Sequence, residues 1–198
     1  MENIRIVKNL VSPDDASRII EYTNRNLASF HKSKFYNRYQ LIFGYEDGYF
    51  NDKAKPLING LEEITELSKD IVNKTKLILS DQFDDKEDIL LSGFWLAKQT
   101  AGGGVKLHHD HDGGLNTHFC YSAVLYLNTL SDSGILDFPE IGVSISPEVG
   151  DLVVWPSGIK ELSHEVKTIN EDRHSIPMWF TKDKNFELNF AGNEKTSS

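Results

Sequence analysis

The strongest constraint on the fold is a change in sequence pattern near Asp88. Segments with helical spacing come before it, and eight short β-rich runs punctuated by Gly and Pro come after it. These runs cover residues 89–98, 105–109, 119–128, 134–138, 143–146, 151–156, 165–168 and 174–181. Short strands at close spacing are typical of a β-sandwich or barrel. Because the helices precede the strands, we predict a mostly β, α+β fold with helices packed outside one sheet.

The first part of the chain predicts two helices and two strands. Residues 4–10 alternate apolar and polar side chains, as a strand does, and residues 41–50 form a second strand interrupted by glycine. Ser12 is a suitable N-cap for a helix that runs to about Leu27, since Pro13 fits the first helical position. A second helix is predicted over 56–80. Its apolar stripe comprises Leu57, Leu61, Ile64, Leu67, Ile71 and Thr75.

The length fits one domain. A chain of 198 residues can bury a core without disulfides or metals. We predict a single domain over 1–190, in which 1–85 supply supporting helices and strands and 88–183 form the β core. The small polar residues 191–198 are predicted to be a mobile tail.

Charge and cysteine content narrow the classes of partner and compartment. With 21 basic and 30 acidic residues the net charge is -9, which argues against unaided binding to nucleic acid or an anionic membrane. Cys120 is the only cysteine, so an intramolecular disulfide is impossible. The N-terminus lacks the apolar region of a signal peptide, and no apolar run reaches the roughly 20 residues of a membrane span. We therefore expect a soluble, cytoplasmic protein.

The densest polar cluster is the run from His108 to Asp112. On a strand, residues i and i+2 project together, so His108 lies beside Asp110, and His109 beside His111. With His164 as the best third candidate, two imidazoles and a carboxylate would leave open positions that suit Fe(II). A solvated loop, or adventitious metal binding by the extra histidines, is the alternative interpretation.

Two further residues point to an anion. Arg173 enters a strand on which it shares one parity with Ser175, Pro177 and Trp179. An inward-facing arginine in a β-barrel is unfavourable without an anion, and a dicarboxylate would suit its planar guanidinium. Tyr126, on an apolar strand, could donate a hydrogen bond to the same group. The alternatives are an edge arginine in a salt bridge and a core tyrosine.

Taken in order, these residues resemble a known family. The segments that carry the resemblance are 103–110, 126–128, 133–139 and 145–155, followed by His164-Glu165-Val166, Arg173 and Trp179. Together they are similar to the Fe(II)/2-oxoglutarate oxygenases of the prolyl 4-hydroxylase group, especially the oxygen-sensing prolyl hydroxylases and their bacterial relatives. The resemblance extends from Leu90 to Asp183. Two departures are His174, where an aromatic residue often follows the arginine, and Ser133, where the family has glycine.

The resemblance implies a fold, a ligand set and an activity. The fold would be a double-stranded β-helix, or jelly roll, with supporting N-terminal helices. His108, Asp110 and His164 would bind Fe(II), Arg173 and Tyr126 would bind 2-oxoglutarate, and Trp179 would line the back of the pocket. O2 would be the second co-substrate, and ascorbate is a candidate reductant.

The implied reaction is hydroxylation of an unactivated C–H bond with release of succinate and CO2. Retention of Asp110 favours hydroxylation over halogenation. The leading substrate is a peptidyl proline in a flexible segment of a protein or peptide. Alternatives are hydroxylation of a free amino acid or other small metabolite, and a non-enzymatic, cupin-like module that binds a metal or ligand.

Overall fold

The computed structural model describes residues 3–33, 37–44, 62–111 and 116–188. Within these ranges the chain forms two α-helices, eleven strands and short 3₁₀ turns. In chain order the elements are β1 (Arg5–Val7), α1 (Pro13–Arg25), β2 (His31–Ser33), β3 (Arg38–Gly44), α2 (Glu62–Gln82), β4 (Leu90–Gln99), β5 (Val105–His108), β6 (Phe119–Tyr126), β7 (Leu136–Phe138), β8 (Val143–Ile145), β9 (Leu152–Pro156), β10 (His164–Val166) and β11 (Arg173–Thr181).

The strands form two antiparallel sheets. The larger sheet has seven strands in the order β1-β9-β6-β11-β4-β3-β2, and the smaller has four in the order β5-β10-β7-β8. Between β5 and β11 the chain crosses from one sheet to the other at every connection except that between β7 and β8, which pair within the smaller sheet. The predicted mostly β fold, a double-stranded β-helix supported by helices, is confirmed.

Both helices form where the sequence favours them. The Ser12 hydroxyl accepts a hydrogen bond from the Asp15 backbone N–H at 3.1 Å, which caps α1, and Pro13 occupies its first turn. On α2, Ile64, Ile71 and Thr75 are buried, as the predicted stripe requires. The predicted start of this helix, with Leu57 and Leu61, lies outside the described residues.

The larger sheet separates two apolar cores. One core lies between this sheet and the helices and includes Ile19, Ile71 and Phe180. The other lies inside the jelly roll and includes Tyr126, Phe138 and Trp155. The functional side chains described below come from both sheets: His108 and His164 from the smaller, and Tyr126 and Arg173 from the larger.

Strand boundaries differ from prediction where cross-strand pairing extends them. β3 begins at Arg38 rather than at residue 41, because its partner β4 continues to Gln99. β2 is absent from the sequence prediction: it is three residues long, and none of them is buried, so no alternation marks it. The predicted strand beyond Gly44 and the predicted tail over 191–198 lie outside the described residues. Among the helices that the structure describes, none is both long and apolar enough to cross a bilayer.

Candidate functional site

Strand register brings together two histidines that are far apart in the sequence. β5 and β10 are antiparallel, and His108 and His164 are direct cross-strand partners. Asp110 follows β5, with its carboxylate oxygens 3.6 Å from His108 Nε2 and 3.7 Å from His164 Nε2. One ligand atom from each of the three residues lies within 4.8 Å of the others. This spacing allows all three to reach one metal ion.

Hydrogen bonds orient both imidazoles in the same way. His108 Nδ1 is 2.9 Å from the carbonyl oxygen of Lys106, and His164 Nδ1 is 3.1 Å from that of Leu162. A carbonyl can only accept, so in the neutral rings Nδ1–H donates and Nε2 keeps its lone pair. Such backbone support is usual for histidines that bind metals. Each ring therefore turns a free nitrogen lone pair towards Asp110.

Burial and mutual contact set the charges of the cluster. Burial opposes ionisation of Asp110, but its contact with His108 and the nearby His164 outweigh this and lower the pKa of the carboxyl. The His108 side chain is 40% exposed; partial desolvation acts against its charged form, yet Asp110 raises the pKa of the imidazole. Burial lowers the pKa of His164, which packs edge-on against Trp155 with ring centres 4.8 Å apart. An ionised carboxylate and a neutral imidazole are the forms that bind metals.

Arg173 is a buried cation without a carboxylate partner among the described residues. Arg173 is only 4% exposed. Its Nη1 donates to Gln99 Oε1 at 2.7 Å and to Ser175 Oγ at 2.9 Å. Its Cζ lies 5.2 Å from the centre of the Tyr126 ring. In the part of the chain that the structure describes, neither Arg173 Nε nor the Tyr126 hydroxyl makes a well-aligned hydrogen bond, although the two side chains interact with each other. Buried polar groups normally have partners, so this corner is suited to an anionic ligand.

Gly134 makes room for the Arg173 side chain. It adopts a φ of +62°, and a Cβ at this position would lie 2.7 Å from Leu130 Cδ1 and 3.3 Å from Arg173 Cδ. A larger residue would be strained by its backbone and would press on the arginine stem. The turn before β7 therefore packs closely against the Arg173 side chain.

An open cavity joins the His108, Asp110 and His164 cluster to Arg173. Trp179 lies on its wall, in edge contact with Trp95 at a ring-centre distance of 4.5 Å. Tyr126 lies beside Arg173 instead of on the wall, and His109 and His111 are also absent from the lining. The lining further includes Arg38, Gln99, Ser122 and Ser175, of which sequence analysis named only Ser175, and that only by its parity.

The residues present fit the groups that the resemblance implies. Two imidazole nitrogens and one carboxylate oxygen converge, a donor set that suits Fe(II) and leaves room for further ligands. Arg173 lines the other end of the cavity, where its guanidinium would suit a carboxylate, and the Tyr126 hydroxyl lies beside it as a further donor.

Comparison with known proteins agrees with this geometry. Residues 94–181 match the model of the 2OG-Fe(II) oxygenase superfamily. Over this range the chain is similar to the 2OG-Fe(II) oxygenases. The matched range contains His108, Asp110, His164 and Arg173, and the family implies Fe(II) as cofactor and 2-oxoglutarate as co-substrate.

Solved structures show which proteins the chain resembles in fold. A viral collagen prolyl hydroxylase from Paramecium Bursaria Chlorella virus-1, in its 2OG complex, superposes with a TM-score of 0.67 at 16% identity and covers 90% of this chain and 95% of its own. A Pseudomonas putida prolyl-4-hydroxylase gives 0.64 at 21% identity, with coverage of 91% and 93%. A Trichoplax adhaerens prolyl hydroxylase, bound to a hypoxia inducible factor peptide fragment, gives 0.68 at 19% identity, with coverage of 92% and 84%. The fold is therefore that of the prolyl 4-hydroxylase group. No curated protein sequence gives a significant match.

Proposed function

We propose that this protein is a 2-oxoglutarate-dependent dioxygenase that hydroxylates a peptidyl proline and releases succinate and CO2. The observation that carries the proposal is the presence, in one cavity, of a His-Asp-His cluster and a buried arginine without a carboxylate partner among the described residues. O2 would be the second co-substrate, and ascorbate would serve as a reductant. The single domain would cover residues 1–190.

The metal end of the site would be formed by His108, Asp110 and His164. Fe(II) and 2-oxoglutarate, when bound, supply the oxidising chemistry that attacks an unactivated C–H bond. The protein holds the three donor groups in place through the β5–β10 register and through the backbone carbonyls of Lys106 and Leu162. Because the donors are already oriented, little reorganisation is needed when metal binds.

The co-substrate end would be formed by Arg173 with Tyr126. The guanidinium would pair with the distal carboxylate of 2-oxoglutarate, and the tyrosine hydroxyl would donate a hydrogen bond to it. Burial makes this pairing strong, because water cannot screen it. Trp155 and Trp179 contribute apolar walls that keep water away from the reacting atoms.

The proline substrate is supported by the structural neighbours. The superposed proteins from the virus, Pseudomonas putida and Trichoplax adhaerens are prolyl hydroxylases, and the last is bound to a peptide. A peptide in extended form could lie across the open end of the cavity. The net charge of -9 disfavours a nucleic acid substrate.

The proposal is tested by measuring succinate from the Fe(II)-loaded protein with 2-oxoglutarate and O2, with and without a panel of proline-containing peptides. Succinate that rises with one peptide, together with a gain of one oxygen atom on its proline, would support the whole proposal. If succinate forms but no peptide increases it, the protein is a dioxygenase and the proposed peptide substrate is wrong. Iron-loaded protein that forms no succinate under any condition would overturn the enzyme.

Matched variants separate the proposed ligands from the extra histidines. Asp110→Ala and His164→Ala should each abolish iron-dependent succinate formation. His109→Ala should retain it, since His109 lies outside the cavity lining. Loss with His109→Ala but retention with His164→Ala would show that metal binds adventitiously to the histidine-rich turn.

A further inference from the structure

We propose that Gln99 is a positioning residue that holds Arg173 for the co-substrate while leaving its charge available. The inference rests on the proposed role of Arg173 in binding 2-oxoglutarate. In this proposal, the neutral side chain of Gln99, on the neighbouring strand β4, makes the site around Arg173 selective for a carboxylate.

The contacts of Gln99 define how the guanidinium is oriented. Gln99 is 1% exposed, and its register partner on β11 is Arg173, so the two side chains lie side by side on the inner face of the larger sheet. Gln99 Oε1 and Ser175 Oγ both accept from Arg173 Nη1, at 2.7 Å and 2.9 Å. One nitrogen of the fork is thus committed to the protein. Arg173 Nε, which makes no well-aligned hydrogen bond among the described residues, remains for a ligand.

The amide of Gln99 is itself held in place. Its Nε2 faces the backbone carbonyl oxygen of Gly104 at 3.4 Å, so the amide nitrogen points to the loop before β5 and the oxygen points to Arg173. A glutamine can therefore accept from Arg173 with one end while donating weakly with the other. The arrangement links the arginine to the segment that leads into the metal cluster.

The neutrality of Gln99 matters as much as its hydrogen bond. A glutamate here would form a buried ion pair with Arg173 and satisfy the cation internally. The incoming carboxylate would then have to displace or share that partner. An amide oxygen gives the same geometric support without cancelling the positive charge, and so leaves a site whose best partner is an external carboxylate.

Gln40 provides a matched control. It lies on β3, the strand next to β4, where it pairs with Ala97, and it is also buried at 5% exposure. It is absent from the lining of the cavity. Substitution of Gln40 tests the effect of altering a buried glutamine in the same sheet away from Arg173.

The experiment measures ligand binding directly, by calorimetry on the Mn(II)-loaded protein without O2. The probes are 2-oxoglutarate and pyruvate, which share the 2-oxo acid group, while only 2-oxoglutarate has the distal carboxylate. Gln99→Met should weaken 2-oxoglutarate binding about tenfold through loss of a charge-assisted hydrogen bond, and Gln99→Glu about 100-fold through internal pairing. Pyruvate binding should stay within about twofold of wild type in both, and Gln40→Met should leave both probes within the same limit. In turnover, the 2-oxoglutarate KM should rise while kcat changes little.

The outcomes distinguish this inference from the proposed function beneath it. Wild-type protein that holds Mn(II) but does not bind 2-oxoglutarate would overturn the proposed function. A second outcome would overturn the role of Gln99 alone. In it, the wild type binds 2-oxoglutarate and Arg173→Met does not, while the Kd values of Gln99→Met and Gln99→Glu stay within about twofold of wild type. Equal weakening of 2-oxoglutarate and pyruvate would also overturn it, since Gln99 would then act on the fold or the metal. If Gln99→Met does not fold, the isosteric Gln99→Glu decides the matter by the same criteria.

Discussion

Strand β11 has two faces of different chemistry, and comparing them shows how the fold separates stability from function. Towards the helices it presents Ile176, Met178 and Phe180, all fully buried in the apolar outer core. Towards the cavity it presents Arg173, Ser175 and Trp179, with polar groups that the described residues satisfy only in part. The outer face is complete without a ligand, whereas the inner face is completed by one.

The same contrast extends to the strands beside β11. Leu125 on β6 and Leu96 on β4 are fully buried on the helix side. Gln99 on β4 reaches the cavity. Alternation along a strand lets one hydrophobic face stabilise the sheet while the other carries groups that reduce stability until ligand binds. The two faces should therefore respond differently to substitution.

The largest effect should come from removing a ligand on the inner face. His164→Ala should abolish iron-dependent turnover, because two donors cannot hold the metal in the required geometry. The free energy of unfolding of the metal-free protein should change by less than for the outer-face substitution below. Metal content by atomic absorption and denaturant unfolding would measure the two quantities. A variant that loses its fold together with its metal would contradict the separation of the faces.

The opposite response is expected for Phe180→Ala on the outer face. Removal of this buried ring should lower the free energy of unfolding by about 3–5 kcal/mol. The metal affinity of the protein that remains folded should be unchanged, since Phe180 does not reach the cavity. Urea unfolding and Mn(II) titration below the transition would test this. Weakened metal binding in the folded fraction would show that the two faces are coupled.

Arg173→Met sharpens the comparison at one position. In wild type, 2-oxoglutarate at 100 times its Kd should stabilise the metal-loaded protein by about 2.7 kcal/mol, and the variant should lose this gain. Its unliganded stability should not fall, because a buried cation without a carboxylate partner among the described residues has been replaced by an apolar chain. Thermal unfolding with and without 2-oxoglutarate would measure both.

The neighbouring residue supplies the control for this measurement. His174 is buried, has the opposite parity and faces Asn24 on α1 at 3.5 Å. His174→Met should keep the stabilisation by 2-oxoglutarate. If His174→Met and Arg173→Met lose the stabilisation by 2-oxoglutarate to the same extent, ligand binding does not depend on the cavity-facing side of β11 in particular.

The smallest effect concerns pH. The pKa of His108 is raised by Asp110 against the effect of partial desolvation, so the imidazole takes up a proton as pH falls through that value. Metal must displace this proton, and Mn(II) affinity should therefore fall with decreasing pH, by up to about tenfold per unit. Calorimetry in buffers of different ionisation enthalpy would count the proton released. Affinity that does not change from about pH 8 to about pH 6 would contradict the prediction.

Local sequence patterns predicted much of the fold. The parity of Arg173, Ser175, Pro177 and Trp179 placed them on one face, and all four line the cavity. The N-cap at Ser12 and the stripe of α2 follow from helical periodicity and capping chemistry. These features depend on residues close together in the sequence, so no knowledge of the tertiary structure was needed.

Features that depend on strand pairing were harder to predict. Arg38 and Gln99 reach the cavity because both belong to a row of cross-strand neighbours that ends at Arg173, and register cannot be read from one strand. The direct pairing of His108 with His164 is of the same kind. Residue type alone was enough to propose the two histidines as metal ligands, but the contact between them arises from the topology of the smaller sheet.

The position of β5 has a consequence for the kinetics of metal exchange. Among the described strands, β5, which carries His108, lies at the edge of the four-stranded sheet, whereas β11, which carries Arg173, is paired on both sides. Edge strands open locally at lower free energy than strands inside a sheet. We therefore expect the two ends of the cavity to have different lifetimes. Metal would dissociate through transient fraying of Val105–His108, while the guanidinium end would persist until global unfolding.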